Sequence, residues 1–142
     1  MMVIYFETSA LLSWLMGEPH AAEVKFQIDN AQMVVTSSLA LVEAERALIR
    51  AESQGILSSG EAEKLSGLLV RSKSSWMLME ISEEVRARAG RFFPAEPVRT
   101  LDAIHLATAL MFMRVFPALE LLSYDQRILR NAAALGITRV KR

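Results

Sequence analysis

Short segments rich in β-forming residues alternate with longer helical patterns along the chain. Residues 3–6 (VIYF) form a continuous apolar run, which is typical of a strand buried on both faces of a parallel sheet. Similar short segments predict further strands at residues 33–35, 76–79, 119–123 and 138–140. The alternation predicts an α/β fold of three layers, in which a mostly parallel central sheet of four to five strands is flanked by helices.

Capping residues and helical spacing predict the helices between these strands. Thr8 or Ser9 is the expected N-cap of the first helix, and Gly17 marks its expected end. Ser58 and Glu61 have the spacing of a capping box, which predicts the start of another helix. The remaining helices are predicted over residues 21–28, 38–52, 100–115 and 125–135, with one more beginning at residue 82 and closed by the prolines at 94 and 97.

Four acidic side chains are candidates for a ligand site, which such a fold forms at the carboxyl ends of its strands. Glu7 directly follows the first predicted strand, and Asp125 follows the strand that ends at Ser123. Asp102 lies in the first turn of the most apolar helix, and Glu43 lies in the first half of the long helix before it. The spacing of these residues does not by itself establish that they converge.

Each carboxylate also has a purely structural explanation. Asp125 is at a favourable N-cap position, and Asp102 suits the dipole at a helix start. Glu43 could be solvated or could pair with Arg46 or Arg50 at helical spacing. Glu7 could be a solvated residue at the end of a strand. If the four do converge, their mutual repulsion calls for a cation. With no cysteine in the chain, an all-oxygen ligand set favours Mg²⁺ or Mn²⁺ over zinc.

The composition narrows the classes of protein that fit. The length of 142 residues suits one domain spanning residues 1–142. Sixteen basic residues balance sixteen acidic ones, so any contact with nucleic acid must come from local patches. The absence of cysteine excludes disulfides and thiolate chemistry. We expect no signal peptide and no membrane span, because Glu7 interrupts the first apolar run and no stretch reaches roughly 18 apolar residues. A cytoplasmic location is therefore expected.

Four segments, in this order, resemble the acidic motifs of PIN domains, especially those of VapC-type toxins. They are residues 4–11 (IYFETSAL), 37–48 (SSLALVEAERAL), 99–109 (RTLDAIHLATA) and 123–129 (SYDQRIL), the last followed by AAALG at 132–136. The third segment is the most specific match. The resemblance extends from residue 3 to about residue 137, which is nearly the whole chain.

This resemblance implies a PIN-like fold and a metal-dependent endoribonuclease that hydrolyses RNA phosphodiester bonds at an acidic Mg²⁺ or Mn²⁺ site. It also implies a cognate VapB-like antitoxin and a homodimer as partners. The implied catalytic residues are the acidic side chains of the four motifs: Glu7, Glu43, Asp102 and Asp125. Of these, Glu7 and Asp102 are the implied direct metal ligands. We expect Thr8, Ser9 and Ser123 to support the centre by hydrogen bonds, which ligating carboxylates usually need.

One departure from the family pattern concerns Glu7, where the family normally has Asp. The additional methylene extends the carboxylate by roughly 1.5 Å, and Mg²⁺ sites demand near-ideal geometry. Weak activity, a preference for Mn²⁺ or a loss of activity is therefore expected. The alternative function is a catalytically weakened or inactive PIN-fold module that binds or regulates through an antitoxin or RNA partner.

Two other kinds of acidic α/β protein are disfavoured by the residues themselves. A phosphatase would need an Asp nucleophile after the first strand, where the chain has Glu7, Thr8 and Ser9. A receiver domain would need a Lys after the late strand, and none is present.

Basic residues and one histidine near the acidic motifs complete the prediction. Arg46, Arg50 and Arg99 could contact RNA phosphates or could pair with the acidic cluster. His105 lies three residues after Asp102 in an apolar helix, and we expect it to be buried and hydrogen-bonded rather than a catalytic base.

Overall fold

Five short strands form one parallel sheet in the computed structural model, which describes residues 2–141. The strands are β1 (Val3–Phe6), β2 (Met33–Ser37), β3 (Met77–Met79), β4 (Glu120–Leu122) and β5 (Thr138–Arg139). Their order across the sheet is β3-β2-β1-β4-β5, and all four neighbouring pairs are parallel. The predicted fold class, a parallel central sheet in an α/β protein, is therefore confirmed.

The central strand β1 lies at the point where the strand order reverses. Ile4 of β1 pairs with Val34 on one side and with Glu120 on the other. After β3 at one edge, the chain crosses back to place β4 beside β1. In open parallel sheets this reversal leaves a crevice at the carboxyl ends of the two strands, which is where ligands bind. Glu7 and Ser123 directly follow β1 and β4 at this edge.

Seven helices cover the two faces of the sheet within residues 2–141. They are α1 (Thr8–Leu15), α2 (Ala21–Asn30), α3 (Ser38–Ser53), α4 (Ser59–Lys73), α5 (Glu83–Ala89), α6 (Thr100–Val115) and α7 (Gln126–Ala134). None of the helices in this described part of the chain is long and apolar enough to cross a membrane.

The side chains of β1 alternate between two separate hydrophobic cores. Val3 and Tyr5 pack into the core formed with α6 and α7, and Ile4 and Phe6 pack into the core formed with α1, α3 and α4. All four side chains are at most 2% exposed, because in a three-layer fold both faces of the central strand are covered by helices. This explains why the first apolar run of the sequence does not alternate with polar residues.

The start of α1 differs from the prediction. The N-cap residue is Glu7, without a side-chain capping bond, and Thr8 and Ser9 lie inside the first turn. The prediction that Thr8 or Ser9 caps this helix is therefore wrong, since their hydroxyls bond to carboxylates instead. The capping box predicted from Ser58 and Glu61 is present at the start of α4 and is confirmed. The helix from residue 82 ends at Ala89, before the prolines at 94 and 97 that were expected to close it, and the boundaries of the other elements shift by a few residues at most.

Candidate active site

Glu7 is a nearly buried carboxylate at the carboxyl end of the central strand. Its side chain is 4% exposed, and its backbone N–H donates to the Leu122 carbonyl at 3.1 Å, which continues the pairing of β1 with β4 by one residue. Its Oε1 accepts hydrogen bonds from the hydroxyls of Ser9, at 2.5 Å, and of Ser123, at 2.6 Å. The first turn of α1 and the end of β4 therefore fix this carboxylate together.

Ser123 connects Glu7 to the second acidic residue of this edge, Asp125. The Ser123 hydroxyl donates to Glu7 and accepts from the Asp125 backbone N–H at 3.1 Å. Asp125 is the N-cap of α7, and its Oδ1 accepts from the Arg127 backbone N–H at 2.9 Å. The N-cap explanation for Asp125 therefore holds, and it coexists with a position beside the other acidic groups.

Asp102 reaches the same region from the first turn of α6. Burial is the main cause that raises the pKa of this half-buried carboxyl group, and the negative charge of Asp125 raises it further. The positive charges of Arg127, His105 and Arg99 act in the opposite direction. Asp102 and Asp125 are thus close enough to repel each other, and the nearby positive charges offset only part of the combined effect of burial and repulsion.

Glu43 extends from α3 into a hydrogen-bonded chain of buried polar groups. Its Oε1 accepts from the Thr8 hydroxyl at 2.7 Å and lies 2.6 Å from His105 Nε2. On the other side of the imidazole ring, His105 Nδ1 lies 2.8 Å from the Tyr5 hydroxyl. His105 is only 2% exposed, so the prediction of a buried, hydrogen-bonded histidine is confirmed.

The surroundings of Glu7 and Glu43 shift their acidities in opposite directions. Burial raises the pKa of Glu7, and the charge of His105 and the two serine hydroxyls offset only part of this. Burial also raises the pKa of Glu43, but the hydrogen bond and charge of His105 outweigh it and leave the pKa below its ordinary value. The Glu43 carboxylate is therefore ionised and paired with His105, whereas burial disfavours the charged form of the Glu7 carboxylate.

The arginines named from the sequence divide into two groups. Arg99 is the N-cap residue of α6 and lowers the pKa of Asp102 by its charge. Arg46 and Arg50 are exposed on α3, and within residues 2–141 neither of them forms an ion pair. The structural alternative in which Glu43 pairs with Arg46 or Arg50 is therefore wrong, because His105 and Thr8 hold this carboxylate.

Sequence reasoning missed three residues that shape this region: Tyr5, Arg127 and Arg130. Tyr5 carries a hydroxyl inside an apolar run, and a buried phenol requires a hydrogen-bond partner. Arg127 is the second residue of α7, where the helix dipole disfavours a cation. The tyrosine within an apolar run and the arginine at a helix start are both visible in the sequence. Neither feature predicts which residues the side chain would contact in the fold.

The described residues bring the four acidic groups to one edge of the sheet without forming a ready-made metal cage. Glu7 and Asp125 share the Ser123 hydroxyl, Asp102 is repelled by Asp125, and Glu7, Glu43 and Asp102 all respond to the charge of His105. Between residues 2 and 141, no group of three or more acidic or histidine side chains is placed to hold a metal ion. The arrangement can therefore concentrate negative charge at this edge of the sheet.

Comparisons with known proteins give a consistent family. Residues 4–135 match the PIN domain. The chain is similar to ribonuclease VapC46 of Mycobacterium tuberculosis, with 33% identity over 138 residues that cover 96% of this chain and 95% of the relative.

Solved structures share the fold at low sequence identity. The crystal structure of M. tuberculosis VapC20, a toxin that cleaves the sarcin-ricin loop, superposes with a TM-score of 0.68 at 16% identity over 100% of both chains. A toxin–antitoxin complex from Klebsiella pneumoniae superposes with a TM-score of 0.64 at 17% identity, covering 94% of this chain and 92% of that one.

Proposed function

Since this chain belongs to the PIN-domain family, and within it to the VapC proteins, we propose that it is an endoribonuclease that hydrolyses RNA phosphodiester bonds at a metal-dependent acidic site. The proposal extends the activity named for its relative of 33% identity to this chain. The observation that carries it is the state of Glu7, a carboxylate that is 4% exposed and accepts hydrogen bonds from the hydroxyls of Ser9 and Ser123. The same Ser123 hydroxyl bonds to Asp125, whose negative charge raises the pKa of Asp102.

A divalent cation fits the chemistry of these residues. Glu7 forms no ion pair within the described part of the chain, and burial raises the pKa of both Glu7 and Asp102. A bound cation would relieve both penalties. We propose Glu7 and Asp102 as the side chains that hold Mg²⁺ or Mn²⁺, since their donor atoms are all oxygen. When bound, the ion supplies an activated water and stabilises the charge that develops on the phosphate.

The other residues of the site orient the reacting groups. Glu43 is fixed through Oε1 by Thr8 and His105, so it remains ionised and can accept a proton from a water molecule in the site. Asp125 is held by its capping bond to the Arg127 N–H and contributes negative charge at the mouth of the site. Ser9 and Ser123 fix the direction of the Glu7 carboxylate, as hydrogen bonds to ligating carboxylates do in metal sites.

An antitoxin and a second copy of the chain are proposed as partners. Support for the antitoxin comes from the similar fold of the K. pneumoniae protein, which is part of a toxin–antitoxin complex. Large apolar side chains are exposed on α3 and α4, and a protein partner would remove them from water. They are Val42, Ile49 and Val70, which are 56%, 53% and 54% exposed.

The test is RNA cleavage by the purified chain, free of any antitoxin, in Mg²⁺, in Mn²⁺ and in EDTA. We expect cleavage inside the RNA strand that requires the metal and is abolished in Asp102→Asn. The matched control is Asp29→Asn, since Asp29 lies on α2 and pairs with Lys25 on the surface. Cleavage that persists in EDTA would reject the metal requirement.

A second variant separates loss of activity from the wrong function. Glu7→Asp restores the residue that the family normally carries, so it should cut RNA even if the natural chain cuts slowly. If neither protein cuts RNA with either metal, the nuclease proposal is rejected. If only Glu7→Asp cuts, the natural chain is a binding or regulatory module on a PIN fold.

A further inference from the structure

A cleft of about 360 Å³ opens beside Asp102 and collects three arginines. Its walls are the N-terminal turns of α6 and α7 and the loop that joins α5 to α6. The charged residues that line it are Arg99, Arg127, Arg130, Glu96 and Asp102. Since the chain as a whole has no net charge, this group of arginines is a local feature.

The two acidic residues that line the cleft, Glu96 and Asp102, form no ion pair with the arginines within residues 2–141. Both carboxylate oxygens of Glu96 accept backbone N–H groups of its own loop, those of Phe93 and Val98, each at 2.8 Å. Arg127 lies 3.5 Å from Asp125. Arg99 and Arg130 form no ion pair with any residue from 2 to 141. Two guanidinium groups are therefore available to an anion from outside.

Two of the arginines lie at helix starts, where a cation opposes the helix dipole. Arg99 is the N-cap residue of α6, and Arg127 is the second residue of α7. The positive end of a helix dipole disfavours a cation at both positions, whereas it favours an anionic ligand held there. The two helix starts thus lie on either side of one cleft, and their dipoles and arginines together favour an anion there.

The wall that carries Arg99 is rigid before any ligand arrives. Asn131, which is 3% exposed, accepts from the Ala95 N–H at 2.8 Å and donates to the Ala95 carbonyl at 3.0 Å. The Glu96 carboxylate ties down the loop on either side of this point. A braced loop loses little conformational entropy on binding, which strengthens the interaction.

We propose that this cleft binds the backbone phosphate next to the scissile one in a single RNA strand, with Arg99 and Arg130 as the phosphate-binding side chains. Arg127, which is paired with Asp125, adds positive charge beside them. The inference rests on the proposed function, because the scissile phosphate is placed at Asp102. Guanidinium groups bind phosphate oxygens with two parallel hydrogen bonds. The cleft volume is near the lower end of small-ligand sites, roughly 300 to 1,000 Å³, which gives room for one nucleotide.

The test measures binding without cleavage. The probe is a fluorescein-labelled 2′-O-methyl RNA decamer of mixed sequence, titrated with the full chain in EDTA at several salt concentrations and followed by fluorescence anisotropy. Arg130→Gln should weaken binding roughly tenfold at low salt, as expected for the loss of a charge-assisted hydrogen bond. The slope of log K against log salt should fall by about 0.7 for each phosphate that the variant no longer neutralises. Arg99→Gln should act in the same direction.

The matched control is Arg71→Gln, which changes an exposed arginine of α4 on the opposite face of the sheet. It should leave both the affinity and the salt dependence unchanged, and thermal melting should verify that all the variants are folded. The proposal is overturned if the wild-type chain does not bind the decamer, or if Arg130→Gln and Arg99→Gln bind it with wild-type affinity. It is equally overturned if Arg71→Gln lowers the affinity as much as the cleft variants do. It is also overturned if the cleft variants lose binding to an antitoxin while their affinity for the RNA decamer is unchanged.

The two proposals fail in different ways. Arginine-dependent binding by a chain that cuts no RNA would leave the cleft as an RNA site and reject the nuclease. Metal-dependent cleavage, with RNA binding that is unchanged in Arg130→Gln and Arg99→Gln, would support the nuclease and reject the cleft as an RNA site.

Discussion

His105 Nε2 lies 2.6 Å from Glu43 Oε1, although the two residues are 62 positions apart in the chain. Because an ionised carboxylate can only accept, the imidazole Nε2 carries the proton of this bond. The contact joins α3 to α6 across the end of the central strand, where Thr8 and Tyr5 complete the chain of polar groups. Together with the Thr8 hydroxyl, it lowers the pKa of the Glu43 carboxyl below its ordinary value, although burial acts to raise it.

Glu43→Gln should lower the free energy of unfolding at neutral pH by about 1 kcal/mol, the usual difference between hydrogen bonds to charged and to neutral acceptors. The pKa of Glu43 is lower in the folded chain than in the unfolded chain. Its stabilising effect is therefore present above the unfolded pKa, about 4.3, and is lost as the pH falls through the folded value. Urea unfolding between pH 3 and pH 7 should show that the difference in free energy of unfolding between the natural chain and Glu43→Gln becomes smaller at acidic pH. Glu45→Gln, on the exposed side of α3, is the control and should change little.

Glu7→Gln should raise the melting temperature of the metal-free chain at neutral pH. The pKa of Glu7 is raised on folding, so the stability gained with the protonated side chain is present below the unfolded pKa and is lost as the pH rises through the folded value. Gln keeps an oxygen for the serine hydroxyls but carries no charge. In thermal melts in EDTA from pH 4 to pH 8, the difference in melting temperature between Glu7→Gln and the natural chain should therefore increase with pH.

The same variant reports on the metal. Mn²⁺ should stabilise the natural chain, because a ligand that binds only the folded state raises its stability, and should stabilise Glu7→Gln far less. Glu120→Gln, at the opposite end of the neighbouring strand, serves as the matched control. An equal metal-induced rise in melting temperature for Glu7→Gln and the natural chain would rule out Glu7 as a ligand.

Ser123→Ala should reduce kcat for RNA cleavage by about 10- to 100-fold, the range seen when the hydrogen-bonding support of a metal site is removed. The substitution removes the hydroxyl that donates to Glu7 and accepts from the Asp125 N–H. Steady-state kinetics in Mg²⁺ and in Mn²⁺ would measure the loss. Ser13→Ala is the matched control, since the buried Ser13 hydroxyl has no hydrogen-bond partner within the described residues. If both variants lose the same activity, the effect of Ser123 is a general effect of packing.

Asn131→Ala should release the loop that carries Arg99. It removes both hydrogen bonds to Ala95, which together are worth about 2 kcal/mol of folding free energy. Hydrogen exchange at the Ala95 amide should become faster by a larger factor than exchange in β1. Asn30→Ala removes a single hydrogen bond at the exposed end of α2 and should leave the Ala95 amide unchanged. Unaltered protection of Ala95 in Asn131→Ala would mean that Glu96 alone holds the loop.

The sequence by itself determined the class of fold and the order of its elements. The unbroken apolar run of residues 3–6 indicated a strand covered on both faces, and Ile4 and Tyr5 indeed face different cores. The Ser58 and Glu61 spacing indicated the start of α4, where the capping box is present. These features could be predicted because periodicity and capping are local: they depend on residues within a few positions of one another.

Only the tertiary structure decided which side chains share the site. Glu43 could equally have paired with an arginine on its own helix, and nothing local distinguished that partner from His105, which is contributed by another element. Arg130 had no sequence signal at all, because its significance comes from the loop and helix that lie opposite it. Such contacts depend on how α3, α6 and α7 dock around the end of β1. The docking is set by the packing of both cores together, which no window of the sequence contains.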